Sequence, residues 1–237
     1  MSSIFAATVL LNVYAALLVL LRAPLFQTKL YRPMLWNIWL SVLPVIVLAV
    51  GSLSGIILLL VSRPAAIIVL VVTAVVWLLL LPNASYLITE LNFSHRRDDD
   101  RTPLWYDIIL VISLAMSGVA NAVVNVFIAH IVFAITIFGD AAQSLNENTS
   151  IVFVIVIMLL VSFGMYLGRY PRFNSWDLKH PVGFVRKLTG HFSERNNVLT
   201  ALGFTITHAA FLALMYYLIV GPVVEGLMLV EQVRLGG

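Results

Sequence analysis

Six apolar runs constrain this chain more than any other feature. Ile4–Leu21, Met34–Gly51, Ala65–Leu81, Leu104–Phe127, Ile151–Leu167 and Val198–Val220 are each between 17 and 24 residues long. A helix that crosses the ~30 Å hydrocarbon core of a bilayer needs about 20 such residues, within a range of 17–25. Only 11% of the 237 residues are charged and 61% are hydrophobic, where a soluble domain carries roughly 25% charged residues. The mean hydropathy is +1.02. The expected fold is therefore all-α, a single transmembrane domain over residues 1–237 built as an integral membrane bundle of about six helices. With no cysteine in the sequence, disulfides, thiolate catalysis and Cys-ligated metals are excluded. The first run is followed, not preceded, by positive charge, so it reads as an uncleaved first span.

Two stretches test the count. Met34–Val61 stays apolar for 28 residues, about 42 Å as straight helix. Pro44 and the run Gly51-Ser-Leu-Ser-Gly55 predict a kink or break there, with Ile56–Val61 outside a full span. Leu104–Phe138 is long enough to divide into two spans, and basic residues decide against it. With six spans, Arg22, Lys29, Arg32, Arg96, Arg97, Arg101, Arg169, Arg172, Lys179, Arg186, Lys187 and Arg195 share one side. Only Arg63 and Arg234 fall on the other. Cytoplasmic loops carry the excess of Lys and Arg, so both termini are expected outside and the polar loops inside. Val182–Phe192 sets Val185, Leu188 and Phe192 against Arg186 and Lys187, the pattern of a short interfacial helix in the last cytoplasmic loop.

Three polar motifs open onto that cytoplasmic side: LPNASYLITEL (Leu81–Leu91), PLWYD (Pro103–Asp107) and GMYLGRYPRFNSWD (Gly164–Asp177). Together they resemble a family of bacterial multi-pass membrane proteins, the domain of unknown function 1361. Its members carry Leu-Pro-Asn-Ala-Pro-Tyr with Thr-Asp-Leu, then Leu-Trp-Tyr-Asp, then Tyr-Leu-Gly-Arg with Arg-Asn-Ser-Trp-Asp. Here Ser85 stands for the second proline and Glu90 for an aspartate. The resemblance implies a multi-pass fold in a bacterial cell membrane and a set of residues, but no activity.

If Asn83–Leu91 is helical, Asn83, Tyr86 and Glu90 share one face at i, i+3 and i+7. The plain alternative is a polar helix end after Pro82. Thr102-Pro103 reads as the cap and first position of span four. That puts Asp107 near its first turn, where the macrodipole alone favours a carboxylate. Trp105 and Tyr106 suit an interfacial belt. Arg169 ends span five before Pro171, also a position the dipole favours. Simple anchoring, however, does not call for Arg172, Asn174, Ser175, Trp176 and Asp177 beside it. Guanidinium groups with amide and hydroxyl donors make a clamp for a phosphate or carboxylate. His95 with Glu90 and Asp107 could hold a divalent metal through N and O atoms, although a surface histidine is more often solvated. Ser113, Ser117, Asn121 and Asn125 repeat at i+4 along span four. They serve either helix–helix hydrogen bonds or a polar path. His208, with Thr205 and Thr207, falls near the middle of span six, where an ionisable group is a functional candidate.

The resulting expectation is a cytoplasmic-face site for an anionic lipid headgroup or a phosphorylated small molecule. In it Glu90, Asp107 and Asp177 act as acids, bases or metal ligands. Asn83, Tyr86, Tyr106, Arg169, Arg172, Asn174, Ser175 and Trp176 bind the ligand. Alternatives are a transporter using the span-four stripe and a structural subunit of a membrane complex. Membrane lipids are the expected partners, and no nucleic-acid patch appears.

Overall fold

A computed structural model describes residues 2–30, 32–91, 102–139, 144–171 and 181–235. Among these residues seven α-helices occur and no strand. They are α1 (Ser2–Phe26), α2 (Arg32–Leu59), α3 (Arg63–Ser85), α4 (Leu104–Phe138), α5 (Asn148–Arg169), α6 (Pro181–Phe192) and α7 (Arg195–Leu235). Short 3-10 helices follow α3 (Tyr86–Leu91) and precede α5 (Ser144–Asn146). All but α6 are long and apolar enough to cross a membrane. In hydrocarbon no water is available to hydrogen-bond an open backbone, so each apolar run satisfies its own peptide groups as a helix. The chain forms two compact units, Met1–Ile128 and Ala129–Gly237, with the boundary inside α4.

In the first unit α2 packs chiefly on α3. The expected break at Gly51–Gly55 does not occur, and α2 is continuous from Arg32 to Leu59. Tertiary contact explains the glycines. A Cβ on Gly51 would run into the side chain of Thr73, and one on Gly55 into that of Leu70, both on α3. Small residues let membrane helices approach closely, which outweighs their poor helix propensity. Ala15, Leu18 and Val19 of α1 join Met34, Ile38, Leu87, Leu110 and Leu114 in one core cluster. That spacing of three and four marks the buried face of α1, while Val9, Leu10 and Val13 point outward. α1 ends with Gln27 at φ 56. The Thr28 amide donates to the carbonyl of Ala23 at 3.2 Å, the six-to-one bond of a Schellman cap with glutamine where glycine is usual.

α4 is a single helix of 35 residues, as the charge distribution requires. In the second unit α5 packs on α7, and Phe133 stacks on Phe153 with ring centres 4.3 Å apart. α6 appears where a short amphipathic helix was expected. α7 exceeds expectation: it continues past Val220 through Gly221-Pro222 to Leu235.

Candidate functional site

The PLWYD motif fastens the end of α1. Asp107 lies in the first turn of α4 and is almost fully buried. Arg22 Nε donates to its Oδ1 at 2.9 Å. The same guanidinium reaches Thr28 Oγ1 through Nη1 at 3.2 Å. Tyr106 donates its hydroxyl to the Leu18 carbonyl at 2.7 Å, and Phe26 meets its ring edge-on at 4.9 Å. Carboxylate, phenol and guanidinium therefore form one linked set around the C-terminal turns of α1. Trp105 remains exposed, as an interfacial ring should.

LPNASYLITEL packs against the middle of α4. Helical pitch persists through Pro82 to Ser85, then tightens to 3-10 at Tyr86. The pitch therefore departs, from Tyr86 on, from the continuous α-helix expected over Asn83–Leu91, because a 3-10 helix repeats every three residues. This turn crosses Gly118 of α4, where a Cβ would meet Leu87 Cβ at 2.9 Å, the Ala84 carbonyl at 3.2 Å and the Ile88 amide at 3.4 Å. Gly118 lies eleven residues beyond Asp107, roughly 16 Å along the helix and thus about half a hydrocarbon core away. The turn is packed closely on α4, and Ala84, Ser85, Leu87 and Ile88 are all buried. Asn83 and Tyr86 are half-buried.

The polar stripe of α4 joins helices of the first unit. Asn121 and Asn12 exchange two hydrogen bonds, at 2.9 and 3.0 Å, and Asn121 also donates to Ser41. Asn125 accepts from Trp77 Nε1 at 3.0 Å. Ser113 and Ser117 bond to carbonyls of their own helix. The two asparagines of the stripe thus bind α1, α2 and α3 to α4.

In the second unit one hydroxyl gathers three elements. Tyr166, fully buried, lies 2.8 Å from His191 Nε2 of α6 and donates to the Asn197 carbonyl of α7 at 3.1 Å. Asn197 donates back to the His191 carbonyl at 2.9 Å. Tyr170, Phe192 and Phe204 surround the Tyr166 ring. Arg169 follows Tyr166 by three residues and Arg195 precedes Asn197 by two. Arg186 and Lys187 lie on the same short helix as His191. All four cations are exposed. The aromatic latch thus sets the C-terminal end of α5, all of α6 and the start of α7 at one basic end of the unit. His208 is satisfied locally: Nδ1 lies 3.0 Å from the Phe204 carbonyl and its ring stacks on Phe204 at 3.8 Å.

Arg172, Asn174, Ser175, Trp176, Asp177 and His95 lie outside the described residues, and Glu90 is described in its backbone alone. Among the described residues no three His, Asp or Glu side chains gather as a metal site. Sequence reasoning passed over Arg22, Tyr166, His191 and Asn197. Tyr166 stood inside the GMYLGR motif, and its place there was the available signal.

A chain with six such helices is a multi-pass membrane protein of all-α architecture. It belongs to the family described as "Protein of unknown function (DUF1361)", whose model matches residues 36–214. No curated protein and no solved structure matches it.

Proposed function

We propose that the basic end of the second unit binds the phosphate of an anionic ligand, a lipid headgroup or a phosphorylated small molecule, at the cytoplasmic face of the bacterial cell membrane. The observation that carries this reading is the Tyr166 latch, which joins α6, with Arg186 and Lys187 at its middle, to the end of α5 that bears Arg169 and the start of α7 that bears Arg195. Like charges do not assemble for stability, so a cationic end held by a buried hydroxyl is organised for an anion. Arg172, Asn174 and Ser175 stand three to six residues after Arg169 in the sequence and are residue types that donate hydrogen bonds to a phosphate. The excess of basic residues on this side supports the cytoplasmic assignment.

Binding of dioleoyl phosphatidic acid and dioleoyl phosphatidylcholine to the purified chain, followed by native mass spectrometry, tests the reading. The acid should be retained about tenfold or more over the zwitterion, since each basic residue near an anionic headgroup contributes about 1 kcal/mol. The variant Arg186→Gln, Lys187→Gln, Arg195→Gln should lose that preference while keeping its melting temperature. Equal retention of both lipids by the unmodified chain would remove the proposal.

A further inference from the structure

Beside the basic end, α5, α6 and α7 line an open apolar groove of about 380 Å³, within the ~300–1,000 Å³ range of small-ligand sites. Leu159 and Phe163 form one wall, Phe192 of α6 closes the top, and Val198, Leu202 and Ile206 of α7 form the other wall. The α7 residues recur every four positions and so follow one stripe of the helix. Arg195 precedes Val198 by three residues and heads the same stripe. From Arg195 to Ile206 is eleven residues, roughly 16 Å. One leaflet of hydrocarbon is about half of ~30 Å. The groove itself runs along α7 from Val198 to Ile206, eight residues and roughly 12 Å; with Arg195 one turn beyond its end, cation and groove together span about the depth of one leaflet.

We infer that this groove is an acyl-chain site, so that the ligand is an anionic phospholipid held by its tail against α5 and α7 and by its phosphate near Arg195, Arg186 and Lys187. The inference rests on the anion-binding reading above and narrows it from phosphate in general to a lipid. Charge complementarity selects the occupant. A zwitterionic lipid gains less from three exposed cations, because its own ammonium opposes them, and a soluble phosphate leaves the apolar walls unused. Phe192 belongs both to the groove and to the aromatic cluster around Tyr166, so tail and headgroup positions are fixed by one piece of structure.

The test compares dioleoyl phosphatidic acid, dihexanoyl phosphatidic acid and glycerol 3-phosphate on the full chain by native mass spectrometry. Each carries the same phosphate, and only the apolar length differs. The long-chain lipid should bind about tenfold or more tighter than the short-chain one, because each buried methylene adds to affinity. Leu202→Trp fills the groove from an exposed position and should erase this difference without weakening the short-chain lipid. Leu214→Trp, on the same helix away from the groove and also exposed, should leave the difference intact. Equal affinity for the two chain lengths would overturn the acyl site and leave the anion reading in place. No retention of any of the three would overturn both. A dimer that Leu202→Trp dissociates, with lipid retention unchanged, would assign the groove to a second copy and overturn the inference.

Discussion

Asp107 illustrates what a single residue can and cannot declare in advance. Its place in the first turn of α4 was legible from Thr102-Pro103 and the apolar run that follows. Its partner was not, because Arg22 lies 85 positions away and reads locally as one more cation after a span. The pair is largely removed from solvent, with side chains 18% and 8% exposed. Removing either member leaves the other charge buried and unbalanced, the costly half of a buried ion pair. Asp107→Asn and Arg22→Met should therefore each destabilise the protein, and the double variant should destabilise it by less than their sum. The expected coupling is about 1–3 kcal/mol in a thermal or denaturant double-mutant cycle. Strict additivity would show that Arg22 and Asp107 act independently and that the pair does not hold the end of α1.

At the scale of the element, local propensity misjudged the glycines and judged the long helices well. Gly51-Ser-Leu-Ser-Gly55 looks like a break because glycine and serine weaken a helix in water. In α2 both glycines face α3, where contact rather than propensity decides. The last apolar run was bounded at Val220, and α7 continues beyond it through Gly221-Pro222 to Leu235. Leu104–Phe138 was readable as one helix because charge balance across the membrane is a property of the whole chain, independent of local signals. Gly51→Ala should cost about 1–3 kcal/mol by overpacking, and Thr73→Ala should recover part of the loss. Gly118→Ala should be no less damaging and have no such rescue, since two of the atoms it meets are backbone. Gly203→Ala meets nothing within 4 Å and should stabilise α7 by about 0.5–1 kcal/mol. Melting temperatures of the four variants check the order. Stabilisation by Gly51→Ala to the same degree as by Gly203→Ala would mean that the glycines act through helix propensity alone, and destabilisation by Gly203→Ala would contradict the open space found there.

Across the whole molecule, the six-span architecture was legible because bilayer thickness imposes a length that few other constraints match. The candidate site was legible only in part. Arg169 was identified, but the latch that organises its surroundings joins Tyr166, His191 and Asn197 across three helices. No spacing rule links those positions. The functional proposal depends on which membrane face carries the basic end, and that is directly measurable. The chain has no cysteine, so every thiol label reports an introduced position. Single cysteines at Gly190 on α6 and at Val61 between α2 and α3, both exposed, can be challenged with a membrane-impermeant maleimide. In intact cells Val61→Cys should label and Gly190→Cys should remain protected until the membrane is permeabilised. Labelling of Gly190→Cys in intact cells, with Val61→Cys protected, would place the basic end outside and contradict a cytoplasmic anionic-lipid site.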